Sequence, residues 1–255
     1  MKNVMKVIAC YANKGGVGKT STAVNIAYAS AADGKRTLLC DLDPQGASSF
    51  YFKVKPSKKL TLGKFFGDEE RFLKAISESE YVNLDVLPAN MTFRDFDVFL
   101  SQLKKSDSRL KKTLKTVKAD YDVVVLDCPP TLSALSESLF KASDVILVPV
   151  IPSPLSARTF DQLVDFFKEQ DLDPTKLLPF FSMVQMVKGL HTQTMTRLLT
   201  SYPKQFFKAM IPYAADVEKM GVHLEPAIHT APTGTAALAY QDLYDELQGR
   251  LKRNK

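Results

Sequence analysis

Short apolar runs recur along this chain without the polar–apolar alternation of a half-exposed strand, and longer stretches with helical spacing separate them. VIACY (7–11) reads as a first buried strand. Lys19 to Ala32 follows as a helix with Ala23, Ile26, Ala27 and Ala31 on one face, stopped near Gly34. Further strands are predicted at TLLCDLD (37–43), NLDVLP (83–88), DVVVLD (122–127), DVILVPV (144–150), LLPFFSMV (177–184) and KAMIP (208–212). Helical stretches are predicted around 92–118, 133–142, 156–170, 192–200 and 235–252. Runs such as VVVL and VILV suit strands covered on both faces, as in a parallel sheet between two helical layers. The expected fold is therefore α/β, with a mostly parallel central sheet and helices on both faces. No internal repeat or Gly/Ser-rich linker divides the chain, so residues 1–255 are expected to form a single domain.

In open α/β sheets ligands collect beyond the carboxyl ends of the strands. Three polar clusters fall there: NKGGVGKTS after the first strand, DLDPQG closing the second, and LDCPP after the fourth. In the loop Gly15-Gly16-Val17-Gly18, the three glycines let backbone N–H groups turn inward into an anion nest, and the next helix aims its positive end at the same point. Lys19 is placed to reach β- and γ-phosphates, the Thr20 hydroxyl to ligate Mg²⁺, and Ser21 to bond an α-phosphate. Asp127, ending the DVVVLD strand, is the candidate carboxylate for holding the metal through water. Asp43 is the candidate for orienting an attacking water, while Asp41 reads as structural. One feature departs from the usual G-x-x-x-x-G-K-[ST] loop: the first glycine is replaced by Asn13, and an additional lysine, Lys14, follows it.

KGGVGKT with its early lysine, then DLDPQG, then VVVLDCPP, resembles the deviant Walker A ATPases of the ParA/MinD family, a branch of the P-loop NTPases. The likeness extends through IPYAADVEKM, which looks like that family's adenine-proximal segment and implies a nucleotide contact at Pro212. The resemblance implies ATP and Mg²⁺ as cofactors and an ATP-dependent homodimer. In that dimer Lys14 touches the phosphates held by the partner subunit, and Lys14, Lys19 and Asp43 form the catalytic set. It also implies an ATPase with a slow intrinsic rate, accelerated by a cargo-linked, ParB-like partner.

Three branches of the family differ in what the ATP state holds. A ParA-like partition or positioning ATPase binds non-specific DNA and moves a plasmid, chromosome or protein compartment. A MinD-like protein docks on a membrane, and metabolic relatives couple the loop to synthesis or reduction. The last segment, TAALAYQDLYDELQGRLKRNK, places Leu238, Leu243, Leu247 and Leu251 on one predicted face but mixes in Asp242, Asp245 and Glu246. A lipid-seeking helix carries cations on its polar face, so this one is expected to pack on the core. The three cysteines (Cys10, Cys40, Cys128) offer no cluster-binding set, and the three histidines no metal spacing.

An apolar share of 45% and the lack of an uninterrupted membrane-length apolar run fit a cytoplasmic protein, while the formal net charge of +6 suits nucleic acid, anionic lipid or mere solubility and alone decides nothing. Candidate DNA contacts are Lys204, Lys208, Arg250, Lys252 and Arg253, with Lys188, Arg197 and Lys255 as further cations. Lys208 occupies the place where similar family members carry a basic DNA-contacting residue, whereas the basic position they often have before the last helix is replaced by PTGTAAL. The Lys53–Lys59 and Lys104–Lys118 clusters read equally well as solvated faces. No helix-turn-helix precedes the loop, so the expected reading is a short, nucleoid-associated ParA-like ATPase that does not read an operator.

Overall fold

The computed structural model describes residues 4–56, 60–102 and 108–253, the side chain of Arg253 excepted. Its eight strands are β1 (Lys6–Cys10), β2 (Thr37–Asp41), β3 (Ser77–Glu78), β4 (Leu84–Leu87), β5 (Val123–Asp127), β6 (Val145–Val150), β7 (Leu177–Val184) and β8 (Met210–Pro212). They form one sheet in the order β3-β4-β2-β5-β1-β6-β7-β8. Every pairing is parallel except that of the short edge strand β3 with β4. The central strands β1, β2, β5 and β6 are buried almost throughout, as their unbroken apolar runs require.

Two apolar layers cover the sheet. On one face Ala23, Ile26 and Ala27 of α1 (Lys19–Ala32) pack with Ile8, Val125 and the final helix. On the other, Phe140, Phe160 and Phe167 join Val124, Leu126 and Val148. The remaining helices are α2 (Ala47–Tyr51), α3 (Leu62–Gly67), α4 (Glu69–Leu73), α5 (Phe96–Ser101), α6 (Arg109–Leu114), α7 (Ala134–Ala142), α8 (Pro154–Glu169), α9 (Gly189–Ser201), α10 (Ala215–His223), α11 (Ala227–Thr230) and α12 (Thr235–Arg253). Ser153 starts α8 by accepting the Ser156 N–H, with Pro154 at the first turn where a missing N–H costs nothing.

The structure departs from the sequence reading in several places, and β3, α2, α3, α4, α10 and α11 have no counterpart in it. The stretch 92–118 is not one helix. A 3₁₀ turn (Met91–Asp95) and α5 bury Phe93, Phe96 and Leu100, whereas α6 and a second 3₁₀ turn (Lys115–Val117) bury Leu110, Leu114 and Val117. The two apolar stripes belong to separate elements. In α12, Leu243, Leu247 and Leu251 are buried but Leu238 is 52% exposed. Five residues turn a helix by about 140° past a full turn, which takes Leu238 off that face. Finally, β2 ends at Asp41 rather than Asp43, because the chain leaves the sheet there to make the DPQG turn.

Candidate active site: a phosphate loop and three carboxylates

The carboxyl ends of β1, β2 and β5 bring the three polar clusters to one edge of the sheet, since β5 lies between β1 and β2 with Cys10 and Asp41 both paired to Asp127. The loop after β1 is tight. Gly18 has φ +98°, and a Cβ there would come within 3.0 Å of the Ser182 hydroxyl. Only glycine satisfies both demands. Ser182 in turn donates to the Val17 carbonyl at 2.9 Å, so β7 holds the loop from beneath. The hydroxyls of Ser21 and Thr22 both return to the Gly18 carbonyl, at 3.2 and 2.6 Å. Gly15 and Gly16 stand exposed above this base, free to present backbone N–H groups.

Lys19 is buried, and its ammonium donates to the Lys14 carbonyl at 3.3 Å, curling back over the loop as a phosphate-reaching lysine must. Lys14 itself is half-buried and borders a small crevice against α8, near Ser156 and Thr159. Asn25 ties α1 to the C-terminal half: its amide donates to the Ser21 carbonyl at 2.8 Å and accepts the Ile228 N–H at 3.0 Å. Pro212 is half-buried at the carboxyl end of β8, paired with Val184 of β7 on the loop's own edge of the sheet.

The carboxylates have distinct surroundings. Asp41 is fully buried, and its Oδ2 accepts both the N–H and the hydroxyl of Ser49, at 2.8 and 2.6 Å. Asp43 is half-buried in the turn, where its carboxylate accepts the Gln45 N–H at 3.0 Å and its carbonyl accepts the Gly46 N–H at 2.9 Å. Asp127 is fully buried, and its Oδ2 takes the Ser48 hydroxyl. Its Oδ1 is buried without a hydrogen-bond partner. An ionisable oxygen orphaned in this way, beside the Thr20 hydroxyl and the phosphate loop, fits a divalent cation. Among the described residues no group of three or more His, Cys, Asp or Glu gathers as a metal cage. Mg²⁺ binds through one or two protein oxygens plus phosphate and water, and Thr20 and Asp127 can supply such oxygens.

Burial raises the carboxyl of Asp127 above its ordinary value, opposed by the Ser48 and Thr20 hydroxyls and aided by Asp43. Burial, and next the charge of Asp127, raises Asp41 likewise. A carboxyl raised in this way holds extra proton in the folded state. Its stabilising effect is complete below the unfolded value and is lost as pH rises through the folded one. Ionised near neutrality, Asp127 therefore destabilises the nucleotide-free protein. Asp127→Asn should melt above wild type in the absence of nucleotide at about pH 8, by on the order of 1 kcal/mol, with the difference shrinking toward about pH 4. Melting curves of both proteins across that range check it.

The thiols of Cys10, Cys40 and Cys128 are all buried and pushed up by that burial, so they behave as small apolar groups. Of the cations predicted to face nucleic acid, Lys204, Lys208 and Lys252 are exposed. Arg250 is turned inward instead. Its guanidinium donates to the Gln205 and Phe206 carbonyls, both at 2.7 Å, and lies over the Phe207 ring at 4.3 Å, which commits it to anchoring α12. Arg197 pairs with Asp161 at 2.9 Å. The side chain of Arg253, and Lys58, Lys59, Lys104, Lys105 and Lys255, lie outside the described residues.

Two surface cavities, of about 970 and 690 Å³, open at the amino ends of the strands, lined by groups such as Lys115, Asp144 and Lys35. They sit opposite the loop. A site that holds phosphate with backbone N–H groups needs no deep apolar cavity, so the loop's chemistry outweighs their size. Sequence reasoning missed Ser48 and Ser182. Ser182 carried a signal, a hydroxyl inside the apolar run LLPFFSMV; Ser48 sits in a helix of five residues, too short to show a period.

Residues 5–176 match a family model described as an AAA domain. The chain is 30% identical over 247 residues to the sporulation initiation inhibitor protein Soj of Bacillus subtilis (strain 168), covering 95% of this chain and 98% of that protein. Among solved structures it is similar to a putative plasmid partition protein from Borrelia burgdorferi B31 bound to AMPPNP, with a TM-score of 0.83 at 18% identity, covering 96% of this chain and 99% of that one. It is also similar to cobyrinic acid a,c-diamide synthase from Mycobacterium smegmatis with bound ADP and magnesium, with a TM-score of 0.80 at 24% identity, covering 98% and 97%. These two likenesses establish the fold.

Proposed function

Since the chain belongs to the ParA-like ATPases of the P-loop superfamily, we propose that it binds ATP with Mg²⁺, dimerises in that state, holds non-specific DNA and positions a cargo through partner-stimulated hydrolysis. On this reading residues 1–255 act as a single ATPase domain. The observation that carries it is the junction of the Gly18–Lys19 loop with Asp43 and the orphaned oxygen of Asp127 at one sheet edge.

In the mechanism, backbone N–H groups from Gly15 to Lys19 cradle the phosphates, and the α1 N-terminus adds its partial positive charge. The Lys19 ammonium exchanges the Lys14 carbonyl for phosphate oxygens. Thr20 and Asp127 would hold the metal ion, which when bound offsets charge on the β- and γ-phosphates. Asp43 orients water for in-line attack, and Pro212 borders the adenine. Lys14 enters from the partner subunit and adds a cation that only the closed dimer supplies. ATP thereby favours the dimer over ADP, because a ligand shifts an equilibrium by its differential affinity.

Exposed Lys204, Lys208 and Lys252 support the DNA-binding branch. Among the described residues no helix is long and apolar enough to cross a membrane, and α12 buries its apolar face in the core. Co-sedimentation with non-specific duplex DNA and with anionic liposomes, each in ATP–Mg²⁺, ADP and no nucleotide, tests the branch. The expected result is DNA binding in ATP–Mg²⁺ alone, weakening steeply with salt. Retention by liposomes only would move the protein to the membrane-docking branch. Retention by neither would remove the positioning reading.

A further inference from the structure

The hydroxyl of Ser48, which plays no part in the mechanism above, is fully buried and donates to Oδ2 of Asp127. The short helix that carries it is fixed from both sides. Ser49 bonds the buried Asp41 at the end of β2 through its N–H and its hydroxyl, and that same hydroxyl accepts the Ala89 N–H at 2.9 Å from the loop after β4. At its start, Gly46 adopts φ +68° and donates to the Asp43 carbonyl. Ser48 thus reaches Asp127 from a platform tied to two neighbouring strands and to the turn that presents Asp43.

A carboxylate turns easily about its last torsion, because that rotation is broad and roughly two-fold. Holding Oδ2 removes that freedom and leaves Oδ1 as the free oxygen, which is the one without a partner. We infer that Ser48 is a positioning residue for the metal ion: by holding one oxygen of Asp127 it presents the other to Mg²⁺. The role rests on the ATP–Mg²⁺ reading of the site and acts through Asp127, not on the nucleotide. Hydrogen bonds to ligating groups of this kind typically change metal affinity by about 10–100-fold when removed.

The test is equilibrium binding of a fluorescent ATP analogue to the full chain, titrated with MgCl₂ and repeated in excess EDTA. Ser48→Ala should raise the half-saturating Mg²⁺ concentration by about tenfold or more while leaving metal-free binding of the analogue within about twofold of wild type. Ser143→Ala serves as the structural control. It removes a buried hydroxyl that donates to the Leu139 carbonyl at 2.7 Å at the opposite end of the sheet, so it should lower the melting temperature without moving the Mg²⁺ midpoint. If Ser48→Ala does not fold, Ser48→Cys, whose thiol is a weak donor, carries the same expectation with a smaller shift. An unmoved Mg²⁺ midpoint, or equal weakening with and without metal, overturns the assignment. A wild-type protein whose analogue binding ignores Mg²⁺ altogether would instead overturn the ATP–Mg²⁺ reading beneath it.

Discussion

Lys14→Ala will bind ATP–Mg²⁺ within about tenfold of wild type yet hydrolyse it at least about 10³-fold more slowly, the loss expected when a cation supplied across an interface is removed. The loop explains the split. The Lys14 carbonyl, which the substitution keeps, is what Lys19 holds in the free protein, and the loop's anion nest is built from backbone. Only the Lys14 ammonium disappears. Whether it acts on its own subunit or its partner's can be read by mixing two inactive proteins, Lys14→Ala and Asp43→Ala. In a mixed dimer the Lys14→Ala subunit retains its own Asp43 and receives the partner's Lys14, so one of the two sites is whole. Random exchange of subunits in a two-fold dimer should then restore about a quarter of the wild-type rate. If Lys14 serves its own site, neither subunit is repaired and mixing restores nothing.

The sheet and its loop were legible in the sequence because each rests on a local signal. Strands buried on both faces betray themselves as unbroken runs such as VVVL, and the glycine positions follow from backbone demands that one can state in advance. The carboxylates were legible for the same reason: Asp127 and Asp43 end or follow strands at the edge where ligands bind. What escaped were features made by pairing across the fold. Nothing in ASSFY announces that Ser48 meets a residue 79 positions away. Arg250 looked like a cation awaiting phosphate until two carbonyls and an aromatic ring were found to consume it. Basic residues near a chain end look alike in sequence, and only their partners separate an anchoring arginine from an exposed lysine.

Asp43→Ala should keep ATP binding and dimer formation but hydrolyse about 10²–10³-fold more slowly, a loss typical of removing one preorganised catalytic group. With the triphosphate intact, the DNA-bound state should persist, so chasing with excess ADP at constant salt should leave the variant on DNA long after wild type has left. The neighbouring aspartate cannot substitute for it. Asp41 is sealed in the sheet, with one oxygen accepting two bonds from Ser49, whereas Asp43 stands half-open in the turn with a single N–H bond from Gln45 to its carboxylate. A water can approach Asp43 and not Asp41. Dissociation of Asp43→Ala from DNA at the wild-type rate in ATP–Mg²⁺, followed by surface-immobilised duplex binding, would show that release is not timed by hydrolysis. The water-orienting role would fall if phosphate release by the variant, measured alongside, proceeds at the wild-type rate.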